Sequence, residues 1–470
     1  MKSPAPNPGS SSAKARNSAA SELRAALQAY RSGRGRQAAE LARDLLARHP
    51  DEAGAQYLLG VVLQEEGRLA ESEAALAAAV SLAPERASFQ ITLGNLLLER
   101  GENARAIQCF RTALAIDPAS TPALTNLGTA LKRTGRVREA LEAFRRALRL
   151  RRATARSAES AGQASDADEE TFAVTSRAKL AHDSEQYQLL LDRGRLPASF
   201  ASEVAALRSV LDTFGLEDRP SARRRLLPQE REKIFRSYNR LIHRPEDPPL
   251  PGAVLGSGWD AAAIEARYAE AIPPVVVIDN WLSDAALGAL RRFCEEATVW
   301  FDCKEPGGYV GAYMNEGFDP EVLLILGEEL KVRLPSIFGE HHLSQMWAFK
   351  YAATGPGTRK HADKAAVNVN FWITSDRACL DRSAGGIRVY PVAAPASWGF
   401  DRYNREDREL ERLVARSELA AIEVPYRCNR CVIFDSSLIH ESMPLRFRPG
   451  YENRRVNVTM LFGDRAEHTG

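Results

Sequence analysis

Two hydrophobic periods divide this chain. Up to about residue 152, apolar positions recur every three or four residues within runs rich in Ala, Leu, Glu and Arg, the spacing of one helix face. A longer, 34-residue step lies over it: Pro50, Pro84 and Pro118 keep that step, as do Gly33, Gly67, Gly101 and Gly135, and as do Gly60, Gly94 and Gly128 with Ala26 one step earlier. Each series has a mechanical meaning. Gly33 and its equivalents fall where a helix ends on a left-handed residue. The prolines open the next unit, because Pro cannot continue a helix. Gly60, Gly94 and Gly128, with Ala38, Ala106 and Ala140, are small where two helices cross closely. Leu59, Leu93 and Leu127, with Phe110 and Phe144, fill the space between helix pairs. The pattern predicts an all-α solenoid of four units over residues 19–152, with the first unit an irregular cap.

The rest of the chain reads differently. Residues 1–18 are rich in Pro, Ser, Ala and Asn, the composition of a disordered tail. Residues 153–172 are small, polar and acidic and read as a flexible linker. Helical patterning returns over 173–258, a helical connector that closes on the Pro/Gly-rich stretch EDPPLPGAVLGSG. In this connector Arg223, Arg224 and Arg225 with Arg231, Lys233, Arg236 and Arg240 form a basic run, but Glu230 and Glu232 interleave, as on a solvated helix face. Residues 259–470 form the last domain. PPVVVIDNWL (273–282) is a β-branched strand followed by the helix DAALGALRRFCEEATVW, and beyond residue 340 come short strands: MWAFKYAA (346–353), AAVNVNFWIT (365–374), GIRVYPV (386–392), RCVIFDSS (430–437) and RRVNVTMLFG (454–463). Such a series predicts a β-sandwich or jelly roll with flanking helices.

Composition narrows the function classes. The 470 residues are 44% hydrophobic and 26% charged with a net charge of +2, so neither a nucleic-acid nor a membrane-surface partner is expected. Six cysteines are too sparse for a disulfide framework and fit a reducing, cytoplasmic setting. No run of apolar residues is long enough to span a bilayer, and no apolar segment follows the basic N-terminus as a secretory signal would require.

The candidate chemistry sits in the β region. In His361-Ala362-Asp363, residues two apart on a strand project from one face, giving an imidazole and a carboxylate: two corners of a two-histidine, one-carboxylate facial triad. Only His440 and His468 follow Asp363, and His440 directly succeeds the strand RCVIFDSS, which makes it the third corner. A second HxD, His49-Pro50-Asp51, lies at a repeat junction, where Pro50 has a structural task. A metal with three protein ligands leaves three open positions; in the Fe(II) oxygenases that this pattern resembles, the oxo-acid end of 2-oxoglutarate fills two and O₂ one. The far carboxylate of that cosubstrate then needs a buried cation, and Arg454 and Arg455 open the last strand. Strand parity admits one of them. With Arg455 inside, Asn457 and Thr459 share its face, and the Thr459 hydroxyl can reach the same carboxylate; with Arg454 inside, the companions carry no donor. Arg455 is therefore the expected clamp. Asn368, Asn370 and Trp372 share one face of their strand, as cosubstrate or substrate contacts or as a solvent-facing row. Gly385-Gly386 reads as a close approach near the metal or a hairpin turn, and KEPGGYVGAYMNEGF (304–318) as a lid. Cys428 and Cys431 form a lone CxxC without a partner pair and read as strand-edge thiols.

Residues 19–152 resemble the tetratricopeptide repeat, although Leu63, Leu97 and Leu131 stand at positions of the first helix that are usually aromatic. That resemblance implies a concave surface for a peptide or protein partner, or an array that packs on its own chain or dimerises. Residues from about 273 to 465 resemble the Fe(II)/2-oxoglutarate-dependent dioxygenases through HAD at 361–363, His440 and RRVNVT at 454–459. Tyr351, ten residues before the first ligand, matches a tyrosine with which prolyl-hydroxylase-like members hydrogen-bond the cosubstrate; a core aromatic is the other reading. The segment VNVNFWITSDRACLDRSAGGIRVY looks like bacterial members that join this domain to tetratricopeptide repeats. The resemblance implies a double-stranded β-helix. It also implies a metal site of His361, Asp363 and His440, cosubstrate contacts from Arg455, Thr459, Tyr351 and Asn370, and oxidative decarboxylation of 2-oxoglutarate coupled to hydroxylation. Halogenating relatives carry Ala or Gly where Asp363 stands, and repeat-bearing asparaginyl/aspartyl β-hydroxylases lack the carboxylate, so Asp363 points to hydroxylation and away from that subfamily. The substrate implied is a protein, a peptide or a small molecule. The alternatives are a catalytically inactive repeat scaffold and a cupin-like metal-storage or sensor protein.

Overall fold

The structure, a computed structural model, describes residues 8–152, 172–215, 222–304, 308–395, 397–398, 400–405 and 407–465. It divides into two compact units, Met1–Ala147 and Leu148–Gly470. The first is four antiparallel helix pairs: α1 (Pro8–Arg31), α2 (Gly35–Arg48), α3 (Ala53–Glu65), α4 (Leu69–Leu82), α5 (Ala87–Glu99), α6 (Asn103–Ile116), α7 (Thr121–Arg133) and α8 (Val137–Arg152). The regularly spaced marks do what the pattern requires. Gly33, Gly67, Gly101 and Gly135 all have φ between 73° and 77°, a left-handed turn that a Cβ disfavours. A Cβ on Gly60 would lie 2.6 Å from Leu76, one on Gly94 2.6 Å from Phe110, and one on Gly128 would strike Phe144. Leu76, Phe110 and Phe144 recur at the same step as the glycines, so each large side chain on a second helix is seated over a glycine of the first. One expectation fails: α1 begins at Pro8, so residues 8–18 continue a helix where a tail was expected. Ala, Lys and Arg are good helix formers, and the stretch is rich in them.

The expected linker falls mostly on residues 153–171, outside the described residues. The stretch read as a connector holds α9 (Arg177–Asp192), α10 (Ala201–Leu211) and α11 (Pro228–Ile234), together with a ribbon of β1 (Val174–Ser176) and β2 (Arg223–Arg225). The basic run therefore opens as a strand, and Arg224 pairs with Glu230 at 2.7 Å. This stretch is packed into the second unit: Gln186 donates to the Glu295 and Ala297 carbonyls at 3.0 and 2.9 Å, and Tyr187 to the Ser237 carbonyl at 2.7 Å.

The remaining helices are α12 (Ala261–Glu270), α13 (Asp284–Glu296), α14 (Glu321–Arg333), α15 (Pro335–Phe338), α16 (Phe400–Arg405) and α17 (Asp407–Ala415). The remaining strands are β3 (Val275–Asp279), β4 (Asp302–Lys304), β5 (Tyr309–Tyr313), β6 (Leu343–Tyr351), β7 (Thr354–Gly355), β8 (Val367–Trp372), β9 (Ile387–Ala393), β10 (Ile422–Val424), β11 (Arg430–Asp435), β12 (Leu438–Ser442), β13 (Leu445–Arg446) and β14 (Val456–Phe462). Seven of them form an antiparallel sheet in the order β3-β11-β8-β14-β6-β5-β4; β10-β9-β12 form a second sheet, and β13-β7 a short pair. The segment expected as a lid thus supplies β5 and its flanks, because its Tyr and Val pair with β6 from Tyr309↔Tyr351 to Tyr313↔Trp347.

One core joins the two larger sheets, with Tyr351, Trp372, Val432 and Phe434 of the seven-stranded sheet against Ile387, Val389 and Val424 of the smaller one. The other face of the large sheet lies on helices: Phe462 meets Phe338 at 4.9 Å, and the Met460 methyl is 3.7 Å from the Cβ position of Gly327 in α14. Alternation in β8 and β14 is therefore inverted from that of a surface strand. Val369, Phe371, Val458 and Met460 pack on the helices, and Asn368, Asn370, Asn457 and Thr459 are also buried, facing inward. Among the described residues, no helix is long and apolar enough to cross a membrane.

Replacing Phe110 with Ala is expected to cost the helical array about 3–5 kcal/mol through the cavity it leaves. Urea unfolding followed by helical circular dichroism measures this; an unchanged midpoint would mean that Phe110 does not anchor the Gly94 crossing.

Candidate metal centre

His361 and His440 face each other across an isolated antiparallel bridge. The His361 amide donates to the His440 carbonyl at 3.0 Å and the His440 amide to that of His361 at 2.8 Å. Directly opposed residues carry side chains on the same side, and the two rings stand 4.3 Å apart between centroids. His440 belongs to β12, where the register against β9 shifts between Leu438 and His440. A shift of this kind re-aims a side chain. Asp363 is held by its amide, which donates to the Ser436 carbonyl at 3.0 Å. The HxD pair was expected on a strand; only His361 bridges, and Asp363 lies in the loop just after it. Its carboxylate nonetheless reaches the same point, 3.4 Å from His440 Nε2.

One ligand atom from each of His361, Asp363 and His440 lies within 4.8 Å of the others. Both Nδ1 atoms are engaged, His361 with the Arg359 carbonyl at 2.8 Å and His440 with the Leu438 carbonyl at 2.9 Å. A carbonyl only accepts, so each ring carries its proton on Nδ1 and keeps the Nε2 lone pair for a metal. Burial, then the neighbouring His440, pushes the His361 pKa down and keeps it neutral near pH 7. Burial alone would raise the Asp363 carboxyl, but hydrogen bonding to His440, the two imidazoles and Asn368 together hold it below its usual value. Asn368 donates to Asp363 Oδ2 at 2.7 Å and fixes the carboxylate plane. Two neutral imidazole nitrogens and one carboxylate oxygen are the donor set of a facial triad, so these residues fit a divalent iron-type ion.

On the same inner face, Arg455, immediately before β14, is fully buried. Its Nε donates to the Gly385 carbonyl at 2.6 Å and its Nη2 to that of Gly386 at 3.4 Å, while Nη1 has no partner. The Tyr351 ring lies 4.7 Å beneath the guanidinium and the Trp372 ring 5.7 Å away. Burial lowers the Arg455 pKa, since no acidic side chain offsets the lost hydration. Arg454 points the other way and pairs with Glu185 at 2.8 Å. Thr459 Oγ1 accepts from Asn370 and Asn457, each at 3.2 Å, which leaves its own proton to give. Tyr351 Oη is 3.4 Å from Ser442 Oγ. Asn368 Oδ1, Asn370 Oδ1 and Trp372 Nε1, like Arg455 Nη1, are buried without hydrogen-bond partners. Unsatisfied polar groups are costly in a core, and this set on one face fits a small polar ligand with a carboxylate at the Arg455 end.

The seating of the Arg455 guanidinium by Gly385 and Gly386 is not legible in the sequence. Gly385 has φ +72°, and a Cβ on Gly386 would strike the Val424 carbonyl, so only glycines bring these carbonyls up to Arg455. A glycine pair at the start of a strand is the one signal the sequence offers. Cys428 is half-buried against Arg291 and Cys431 is buried; each is a free thiol.

The tetratricopeptide-repeat family profile matches residues 23–87, 62–121 and 91–157. The front array is built of tetratricopeptide repeats. The tetratricopeptide match ends at residue 157, well before the first residue of the metal cluster. Similar solved structures include MamA (24% identity over 29% of this chain and 79% of that one, TM-score 0.28) and PilF of Pseudomonas aeruginosa (23% over 29% and 63%, TM-score 0.28). Another is YrrB, a tetratricopeptide protein described with an unusual peptide-binding site (19% over 27% and 66%, TM-score 0.27). No curated protein matches the chain.

Substituting His361 or His440 with Ala is expected to weaken Fe(II) or Co(II) binding by more than about 100-fold, since even groups behind a ligand are worth roughly 10–100-fold. In the unaltered chain, affinity should fall as the pH drops through the imidazole range, where protons compete for Nε2. Calorimetric titration under anaerobic conditions measures both; unchanged affinity in either variant would remove that histidine from the site.

Proposed function

We propose that the chain is a protein-interaction scaffold whose C-terminal unit is an Fe(II)- and 2-oxoglutarate-dependent dioxygenase. It hydroxylates a protein, peptide or small-molecule substrate that the repeats help to recruit, in the cytoplasm. The observation that carries the catalytic part is the convergence, on one inner face, of the His361–Asp363–His440 cluster with a buried arginine that has no acidic partner. In this reading the two antiparallel sheets are the walls of a double-stranded β-helix, with the metal between them. The comparisons bear on the repeats alone and favour the interaction role; the oxygenase role rests on side-chain geometry.

Bound iron supplies the one-electron and O₂ chemistry that side chains lack. This chain's residues do the rest. His361, Asp363 and His440 would hold the ion through two Nε2 atoms and one carboxylate oxygen. Arg455 Nη1 takes the far carboxylate of 2-oxoglutarate through charge-assisted bonds, with the Thr459 hydroxyl further along the same face as a second donor. Tyr351 and the Gly385 and Gly386 carbonyls hold the guanidinium flat for that task. Asn370, with its free Oδ1, lines the space between. The aromatic inner wall excludes water from the reacting end.

A second reading, the repeats as a scaffold with an inactive β unit, is favoured by the profile match stopping at residue 157. Succinate release from 2-oxoglutarate with Fe(II), ascorbate and O₂, and no added substrate, separates the two. The oxygenase reading expects slow turnover that His361→Ala abolishes. Arg455→Gln should raise the 2-oxoglutarate Kd about 30-fold or more, the ~2 kcal/mol lower bound for breaking a buried charge-assisted pair. Gly386→Ala, which displaces an Arg455 acceptor, should weaken the cosubstrate with metal affinity unchanged. No turnover and no 2-oxoglutarate affinity would leave the scaffold; metal binding without 2-oxoglutarate affinity would indicate a storage or sensor protein.

A further inference from the structure

A cavity of about 240 Å³ lies behind the large sheet, lined by Arg291, Cys294, Glu295, Lys350, Thr374, Tyr451 and Arg454 among others. Side chains alternate along β6 and across the start of β14, so Lys350 and Arg454 face away from the side that carries Tyr351 and Arg455. The cavity is therefore separate from the metal cluster.

Its charges are unevenly compensated. The Glu295 and Glu452 carboxylates in its wall are each bound by Arg193 at 2.7 Å, and Arg454 is paired with Glu185. Lys350 is 2% exposed; its Nζ donates to the Cys294 carbonyl at 2.6 Å and to Tyr451 Oη at 2.5 Å, with the Trp300 and Tyr451 rings each 4.2 Å away. None of these neighbours is anionic. Arg291 bonds the Ile373 carbonyl and Cys428 Sγ, the latter at 2.7 Å, again without a carboxylate. Burial pushes the Lys350 pKa down to about 7, although the Glu295 and Glu185 carboxylates nearby act against the shift. Lys350 and Arg291 thus line the cavity with no carboxylate hydrogen-bonded to either, while the nearby Glu295 and Glu452 are held by Arg193, which leaves two cations able to receive an anion. The volume is smaller than that of drug-sized sites, which limits the occupant to a small metabolite.

We propose that this cavity is a second ligand site that binds a small polyanion, carrying carboxylate or phosphate groups, through Lys350 and Arg291. A bound anion would hydrogen-bond both cations directly, which no carboxylate of the wall does. The site does not depend on the oxygenase reading.

The test is calorimetric titration of the metal-free full chain with inorganic phosphate and, separately, with citrate, each at constant ionic strength set by chloride. Saturable binding of at least one is expected, and the preferred probe tells a phosphate ligand from a carboxylate one. Arg291→Gln and Lys350→Met should each lower the affinity at least tenfold, whereas Arg455→Gln, on the other face, should leave it unchanged. Should Lys350→Met not fold, Arg291→Gln decides alone, because Arg291 is only half-buried. Heat no greater than chloride gives, affinity retained in Arg291→Gln, or affinity lost in Arg455→Gln would each overturn the proposal.

Discussion

Two backbone hydrogen bonds between His361 and His440 set the geometry of the C-terminal unit. They join positions far apart in the sequence and place the imidazoles side by side before any metal is considered. The intervening chain returns through β8, β9, α16, α17 and β11, and because closure entropy grows only logarithmically with loop length, the excursion is thermodynamically tolerable. The Asp363 amide extends the same bridge to Ser436, so the three candidate ligands are positioned by main chain, with rotamers fixed by carbonyls at each Nδ1 and by Asn368 at the carboxylate. Sites tied to backbone in this way keep their geometry when a loop or a substrate moves.

The large sheet carries the cost of that arrangement. A strand packed on helices ordinarily turns polar residues to water. Here β8 and β14 are buried on both faces, and their Asn and Thr residues look into the interior on the side that carries Arg455, whose guanidinium has no acidic partner. Such a face is unfavourable as a core and favourable as a binding wall, in keeping with the rule that local inconsistencies gather where function lies. Helices α13 and α14 behind the sheet, and α9 docked beside them, supply the apolar burial that offsets it. The array at the front follows a different logic, with each unit stabilised by its neighbours through one repeated crossing.

Much of this was legible in the sequence because the information is local. The recurring step specifies four helix pairs, since each glycine and its opposing Leu76, Phe110 or Phe144 recur together. Strand parity placed Arg455 inside with Asn457 and Thr459, and Arg454 outside, from one short run of sequence. What escaped depends on partners distant in the chain. Nothing near Gly385 and Gly386 announces an arginine so much later in the chain. The Tyr- and Gly-rich segment after residue 304 looks like a mobile cover until β6 is present to pair with it. Asp363 sits off the expected strand because its position is set by Ser436, and α1 starts early because helix propensity outweighs a composition typical of tails.

The most direct measurement is the visible absorption of the anaerobic protein mixed with Fe(II) and then 2-oxoglutarate. A charge-transfer band that needs both additions, and that vanishes in His440→Ala, is the result this account predicts. A protein that stays colourless with both present, while still folded by circular dichroism, would contradict it.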